Sequence, residues 1–292
     1  MRPESLRKPH LHVEFPVTTG IARHWIRSAV PLSIRQGLAI LVGRQHWLKR
    51  RYWWAMELLR DYAERDPNEF HRFLWTHHLG YAETYEIERR FGEDRIHPTR
   101  RMLFDDLARV LRERGVDPER EIGSVFEVGC SLGYLLHHLE TGLFRSADVL
   151  EGIDIDRYAI ESGSAHLATL RSRVRLHQGD MGELEEKLRE RRFDVVLCAG
   201  VLMYLQEGQA GAVVTSILRH TGKVAVFAGL AAPERDNREL AASVPRVRDG
   251  TFVHNIDRMV ERAGGQVVFR RWEGAREVDG NTIYFVLAAP PS

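Results

Sequence analysis

The stretch Ser124–Tyr134, SVFEVGCSLGY, sets one acid in a short apolar run and follows it with small residues. Val125, Phe126 and Val128 surround Glu127. Gly129-Cys130-Ser131-Leu132-Gly133 then breaks the run before the amphipathic segment Tyr134–Leu143. The pattern predicts a strand, a tight loop and a helix, an arrangement that turns backbone N–H groups toward a bound cofactor. A dinucleotide would require glycine at the second and third places of G-x-G-x-x-G, so that the pyrophosphate and the helix can both come close. Ser131 and Tyr134 occupy those places, and Tyr134 would crowd helix against strand. The spacing E-x-G-x-S-x-G is better matched to a cofactor without a pyrophosphate.

The elements around this loop alternate. Val125–Val128, Asp148–Ile153, Val174–His177, Phe193–Cys198 and Lys223–Ala228 read as strands. Tyr134–Leu143, Tyr158–Leu170, Glu183–Arg191 and the stretch around Gln209–Leu218 read as the helices between them. A polar insertion, Leu230–Asp249, precedes a helix over Phe252–Ala263 and two last strands, Val267–Trp272 and Thr282–Leu287. Such alternation predicts a doubly wound, mainly parallel α/β sheet, with the last two strands as an antiparallel hairpin at one edge. Upstream, residues 1–120 carry no strand signals and read as mainly helical. Met1–Gly20 is an irregular arm. Ile21–Val42 is broken by Pro31 and Gly37, and its part Ala29–Val42 is apolar enough to lie on a membrane surface, with packing on the body as the plainer account. Gln45–Glu64 places Leu48, Tyr52, Ala55, Leu59 and Tyr62 on one helical stripe, widened by Trp47, Trp54 and Leu58. Asp66, Pro67 and Glu69 form a helix start, with Phe70, Phe73, Leu74, His77 and Tyr81 along one face and Gly80 as a kink or early stop. His97-Pro98-Thr99 opens another helix that ends at Gly115. The domain division that follows is 1–120, a helical cap, and 121–292, a cofactor-binding domain with 230–250 as an insertion or lid.

Composition narrows the setting. No apolar run reaches the ~20 residues of a membrane span, and the N-terminal stretch lacks the apolar core of a signal peptide. Two cysteines, Cys130 and Cys198, cannot build a disulfide framework, so a reducing, cytoplasmic location is expected. Net charge is +1, yet Met1–Arg60 holds eleven Lys/Arg against three Glu and no Asp. That basic arm suits an anionic substrate, a nucleic acid or a lipid surface, or an acidic face of the protein's own body.

Four motifs in order resemble the class I S-adenosylmethionine-dependent methyltransferases over roughly Arg120–Pro290. FEVGCSLG (126–133) resembles their acid-plus-glycine loop and GIDID (152–156) their second motif. QGDM (178–181) resembles the adenine-contacting turn, and FDVVLCAGVLMYL (193–205) the fourth-strand motif. The resemblance implies a seven-stranded Rossmann-like sheet and S-adenosyl-L-methionine as cofactor, leaving as S-adenosyl-L-homocysteine. It also implies cofactor contacts from Glu127, Gly129, Cys130, Ser131 and Gly133, from Asp154 and Ile155, from Asp180 and Met181, and from Ala199 and Gly200. In that assignment Glu127 stands beside the donor's amine, Asp154 accepts from the two ribose hydroxyls, and Asp180 accepts from the adenine amino group. Asp156 competes with Asp154, or caps the next helix; Asp180 has the same capping alternative. No metal ligands are assigned.

The acceptor is less legible. A sulfonium activates its own methyl, so the protein must mainly align a nucleophile and exclude water; a base is needed only where the nucleophile is a poorly ionised hydroxyl. The sequence after the fourth strand, CAGVLMYL, lacks the Asn/Asp-Pro-Pro-Tyr signature of amino methylation, and neither cysteine stands in a Pro-Cys context. The stretch resembles instead the methyltransferases acting on small molecules, and that resemblance implies an acceptor pocket built from the cap and the insertion, with O-methylation of a small molecule as the expectation. Candidate catalytic residues are His77, His78 and Tyr81 in the cap, Tyr204 after the fourth strand, and His254 near the following helix. His77 and Tyr81 alternatively belong to the cap's core, and His254 to a surface or capping role. Arg235, Arg238, Arg246 and Arg248 of the insertion could clamp an anion or simply face solvent. The other readings are a methyltransferase acting on RNA or protein through the basic arm, and a non-catalytic donor-binding module.

Overall fold

Strand and helix alternate from Ser124 onward because short, near-continuous apolar runs form strands buried on both faces, and apolar residues recur at helical spacing between them. The computed structural model describes residues 29–45, 51–79, 87–92, 96–246, 249–278 and 280–291. The strands are β1 (Ser124–Val128), β2 (Val149–Asp154), β3 (Arg175–Gln178), β4 (Phe193–Ala199), β5 (Thr221–Ala228), a small pair β6 (Val244–Pro245) and β7 (Phe252–Val253), then β8 (Gln266–Val278) and β9 (Asn281–Ala289). Seven of them form one sheet in the order β3-β2-β1-β4-β5-β9-β8. β1–β5 are mutually parallel, and β9 runs antiparallel to both β5 and β8.

The alternation divides the core between the two faces. Val125, Val195, Leu197, Val224, Val226, Ile283 and Phe285 point to one side, and Phe126, Val128, Val196, Cys198, Ala225, Phe227 and Tyr284 to the other. Helices α6 (Tyr134–His138) and α7 (Arg157–Thr169) cover the first side. Helices α8 (Leu184–Leu188), α9 (Glu207–Arg219) and α10 (Ile256–Arg262) cover the second. Among the described residues no helix is long and apolar enough to cross a membrane.

Among the described residues five helices precede the sheet: α1 (Leu32–Gly43), α2 (Arg51–Arg65), α3 (Pro67–Thr76), α4 (Ile87–Phe91) and α5 (Pro98–Glu113). The first three share a core of their own, built from Ala39, Ala55, Met56, Leu59, Ala63, Phe70, Leu74 and Leu79. By contrast, Leu103, Leu107, Val110 and Leu111 of α5 belong to the first face of the sheet. Asp66 caps α3 as its sequence predicts, accepting a hydrogen bond from Glu69 N at 3.1 Å.

Four local expectations are corrected. Trp54 does not widen the buried stripe of α2; it is exposed. Helix α3 stops at Thr76, ahead of Gly80, because Leu79 N donates to Leu74 O and His78 adopts φ 55°, a left-handed helix ending usually left to glycine. Residues 252–255 are not helical: Phe252–Val253 pairs with Val244–Pro245, and Asn255 caps α10 by accepting from Arg258 N. The polar insertion, among its described residues, is anchored to the body rather than wholly solvated. The fully buried Asn237 donates to Leu230 O and His254 O and accepts from Ala232 N and Trp272 Nε1.

Candidate functional site

The parallel strands end on one edge of the sheet, and their tips bring three acids together. Register sets Glu127 between Gly152 of β2 and Leu197 of β4, in the interior of the sheet. It is buried, and its Oε2 finds no hydrogen-bond partner. Burial pushes its pKa up to about 8; the Arg100 charge opposes the rise and Asp154 adds to it. A buried carboxylate oxygen without a donor is costly, and a bound cation would satisfy it.

The loop after β1 is held close to β2. Gly129 N and Cys130 N both donate to Ile153 O, at 2.8 and 3.0 Å. Gly129 and Gly133 have φ of 74° and 76°, and a Cβ on Gly129 would lie 2.3 Å from Val201. Glycine is therefore required there by both backbone conformation and space. Ser131 shares the left-handed conformation at φ 50° and donates its N–H to Asp154 Oδ2 at 2.8 Å. Asp154 Oδ1 accepts from Asp156 N at 2.9 Å, which leaves each oxygen a further lone pair. Burial raises the pKa of Asp154 to about 6 against those backbone donors. Ile155 is half-buried beside it. Asp156 caps α7 by accepting from Ala159 N at 3.0 Å. Asp180 similarly accepts from Gly182 N at 2.8 Å at the tip of β3, and Met181 packs against the second face of the sheet.

Cys130 and Cys198 are fully enclosed, and burial drives both thiols upward, Cys198 to about 12. Their role is space: Cys130 fills the gap over Gly152. Ala199 ends β4, and Gly200, at φ 79°, donates to Ala228 O at 2.8 Å.

Each of these turns is met by a basic side chain from the helical region. Arg72 Nε of α3 stands 3.1 Å from Asp180 Oδ2. His78, just beyond α3, places Nδ1 2.6 Å from Asp156 Oδ2, with its ring 4.2 Å from that of Tyr158. Arg100, in the first turn of α5, donates to Ala199 O at 3.0 Å, and its charge acts on Glu127. Arg72 and Arg100 carry no signature in the sequence, since each is one arginine among many on an amphipathic helix.

The other candidates are dispersed. His77 caps the end of α3, its ring 4.5 Å from that of Phe73, and burial together with the Arg44 charge holds its pKa below the ordinary value. Tyr81 lies outside the described residues. Tyr204 packs against His71 and Trp75 of α3, at ring separations of 5.0 and 5.5 Å. His254 is buried: Nε2 donates to Leu202 O at 2.9 Å, so Nδ1 accepts from the Ser243 hydroxyl at 2.7 Å. Burial lowers its pKa, and that neutral tautomer ties the insertion to the turn carrying Tyr204. His71, which the sequence pattern hid among the apolar residues of α3, is enclosed beside Asp249 and Gly250. Its ring nitrogens lack a well-aligned hydrogen bond, and burial depresses its pKa to about 4.

In the insertion Arg238 pairs with Asp257 at 2.9 Å and Arg246 with Asp249. Arg235 is exposed, and Arg248 lies outside the described residues. Among the described residues no three His, Cys, Asp or Glu side chains are grouped so as to hold a metal ion.

Residues 126–226 match the family model described as a methyltransferase domain. No curated protein matches the sequence. The fold is similar to magnesium protoporphyrin IX methyltransferase (ChlM) from Synechocystis PCC 6803. With bound SAH that structure gives 14% identity and a TM-score of 0.52, over 76% of this chain and 99% of that one. With bound SAM it gives 14% and 0.50, over 77% and 97%. The [4+2]-cyclase SpnF is similar at 14% identity and a TM-score of 0.50, over 66% of this chain and 81% of that one.

Proposed function

We propose that this chain, a class I S-adenosylmethionine-dependent methyltransferase, transfers the methyl group to a hydroxyl oxygen of a small molecule, a sugar or a secondary metabolite. S-adenosyl-L-methionine supplies an electrophilic methyl on a sulfonium, and the residues at the strand tips fit it. The unpartnered Glu127 Oε2 suits the ammonium, and the loop Gly129–Gly133 admits the methionine backbone closely. Arg100, beside Glu127 and Ala199, suits the carboxylate. Asp154 and Ile155 take the ribose, Asp180 and Met181 the adenine, and Ala199 and Gly200 the reacting end. The N-terminal residues 1–120 and the segment 230–250 supply the acceptor contacts.

The observation that carries the hydroxyl assignment is the His78–Asp156 pair. A hydroxyl must lose its proton as it attacks, and an imidazole fixed through Nδ1 by a buried carboxylate is the arrangement that a general base needs. Asp156 lies just two residues after Asp154, so the pair stands beside the turn assigned to the ribose. His78 is accordingly assigned as base, with Tyr204 as the wall of the acceptor space alongside His71 and Trp75. His254 holds that wall in place through Leu202.

The test is methyl transfer to a panel of sugars and phenolic or aliphatic alcohols, with the product located by mass spectrometry. The expected outcome is an O-methyl product and a kcat lowered roughly 100-fold in His78→Ala, the usual size of a general-base contribution. Transfer to RNA or protein with none to the panel would sink the acceptor class. Full turnover in His78→Ala would sink the base.

A further inference from the structure

Helix α1 shows two unlike faces. Arg35, Ala39 and Gly43 are buried against α2, and Arg35 fastens the pair: it donates to Leu58 O at 2.9 Å and forms a two-pronged ion pair with Asp61. The opposite face carries Ile34, Leu38 and Leu41, one stripe at helical spacing, and these are 54%, 41% and 58% exposed. Trp54 on the adjoining α2 is 46% exposed. Isolated exposed apolar residues are ordinary, but three in register on a helix whose other side is already anchored make an unpartnered stripe.

The surrounding sequence says what covers it. From Phe15 to Met56 there is no acidic residue. The same stretch holds six Lys/Arg besides the paired Arg35: Arg23, Arg27, Arg44, Lys49, Arg50 and Arg51. It also holds four of the chain's six tryptophans, Trp25, Trp47, Trp53 and Trp54. Aliphatic side chains on one face of a short helix, with flanking cations and tryptophans, meet the requirements of an interfacial element: apolar burial at the acyl boundary, tryptophan at the headgroup level, cations against anionic lipid. A second copy of the chain would bring two such basic stretches face to face, against their like charge. A nucleic acid would gain nothing from the Ile34/Leu38/Leu41 stripe.

We propose that the outer face of α1 docks the protein on an anionic lipid bilayer surface. The docking is reversible and peripheral, since one aliphatic stripe is far short of a span. It is independent of which acceptor the enzyme methylates.

The experiment is flotation of the full chain with vesicles of equimolar phosphatidylglycerol and phosphatidylcholine, against vesicles of phosphatidylcholine alone. Binding is expected to the anionic vesicles, weaker by at least ~10-fold on neutral ones and falling steeply with salt. The triple substitution Ile34→Ser, Leu38→Ser, Leu41→Ser should weaken binding to anionic vesicles by about 10-fold or more. Because these positions are exposed, circular dichroism and melting of the variant should match the parent; the single change Leu41→Asp serves as a second variant with the same expected direction. No binding to anionic vesicles overturns the proposal. So does vesicle binding unchanged in both variants, as does self-association or RNA binding that the triple substitution abolishes while vesicle binding persists.

Discussion

The acidic strand tips and the basic side chains of the helices meet in one place but were put there by different means. Glu127, Asp154 and Asp180 each stand at or just beyond the end of their own strand, and a handful of neighbouring residues fix each of them. Arg72, His78 and Arg100 arrive from helices far away in the chain, and only tertiary packing sets them opposite Asp180, Asp156 and Ala199. In the proposed assignment the strand side carries the cofactor's recognition, which follows from the backbone, and the helical side carries what differs from one acceptor to another, which follows from packing. If this division is right, substitutions on the strand side should act on the donor and those on the helical side should divide binding from turnover.

The largest effect is expected at Glu127. Replacing it by Gln removes the anion that an ammonium requires and should raise the donor Kd roughly 100-fold, matching the ~3 kcal/mol of a charge-assisted hydrogen bond. The carboxyl is also mostly protonated at pH 7, because its pKa is near 8. Donor binding there should release close to one proton, seen calorimetrically as a heat that varies with buffer ionisation enthalpy. The release should fade above about pH 9 and vanish in Glu127→Gln. The same raised pKa sets the sign for stability without donor. The folded state is favoured below pH 4.5, the ordinary value, and loses that advantage as pH rises through about 8. Asp154, raised to about 6, acts in the same direction over a lower window. Urea titrations of parent and Glu127→Gln across pH 5–9 should converge at the acid end and part at the alkaline end.

Asn237 tests whether the insertion belongs with the ordered side of the comparison. Asn237→Ala leaves two backbone carbonyls, a backbone N–H and an indole N–H without partners in a buried place. A loss of about 2 kcal/mol in unfolding free energy is expected, with early proteolysis in the 230–250 segment. An unchanged melting curve would return this segment to the status of a solvated loop.

Arg100 marks where the two sides touch. Arg100→Gln should weaken donor binding about 10-fold, on the scale of one charge-assisted hydrogen bond. It should also move the pH midpoint of donor binding upward, since the Arg100 charge opposes the rise in the Glu127 pKa. A change in affinity without a shift in midpoint would separate Arg100 from Glu127.

What the sequence made legible follows the same line. The doubly wound sheet, its edge hairpin and the strand-tip acids were readable because strand–helix alternation and strand-tip loops are local patterns. Arg72 and Arg100 were not, because a cation on a polar helix face looks the same whether it meets solvent or a group distant in the chain. Helical spacing identifies only the partners three and four positions away. His71 was hidden for the opposite reason: it occupies a position that packs like its apolar neighbours Phe70 and Leu74. Asn237 sits in a run of charges that reads as solvated, and only the alanines and Leu240 around it hint at burial. The stop of α3 was misplaced because Gly80 is the natural left-handed residue, whereas His78 takes that conformation.

His78 is therefore where the two sides can be told apart most finely. Its left-handed backbone costs any residue with a Cβ about 1 kcal/mol relative to glycine. His78→Gly relieves that cost and removes the imidazole; His78→Ala removes the imidazole alone. Both lose the Asp156 contact, while Asp156 keeps its cap on Ala159 N. The glycine variant should thus be the more stable of the two by about 1 kcal/mol, a melting difference of roughly 2–4 °C in a chain of this size. If the imidazole acts as base, kcat falls equally in both variants, and donor affinity falls little in either. If the residue serves only to shape the turn that brings the helical side against β2, the glycine variant recovers turnover and the alanine variant does not. Equal stability with unequal turnover would place the effect in the donor site, and calorimetry with donor alone would then show it as a change in affinity.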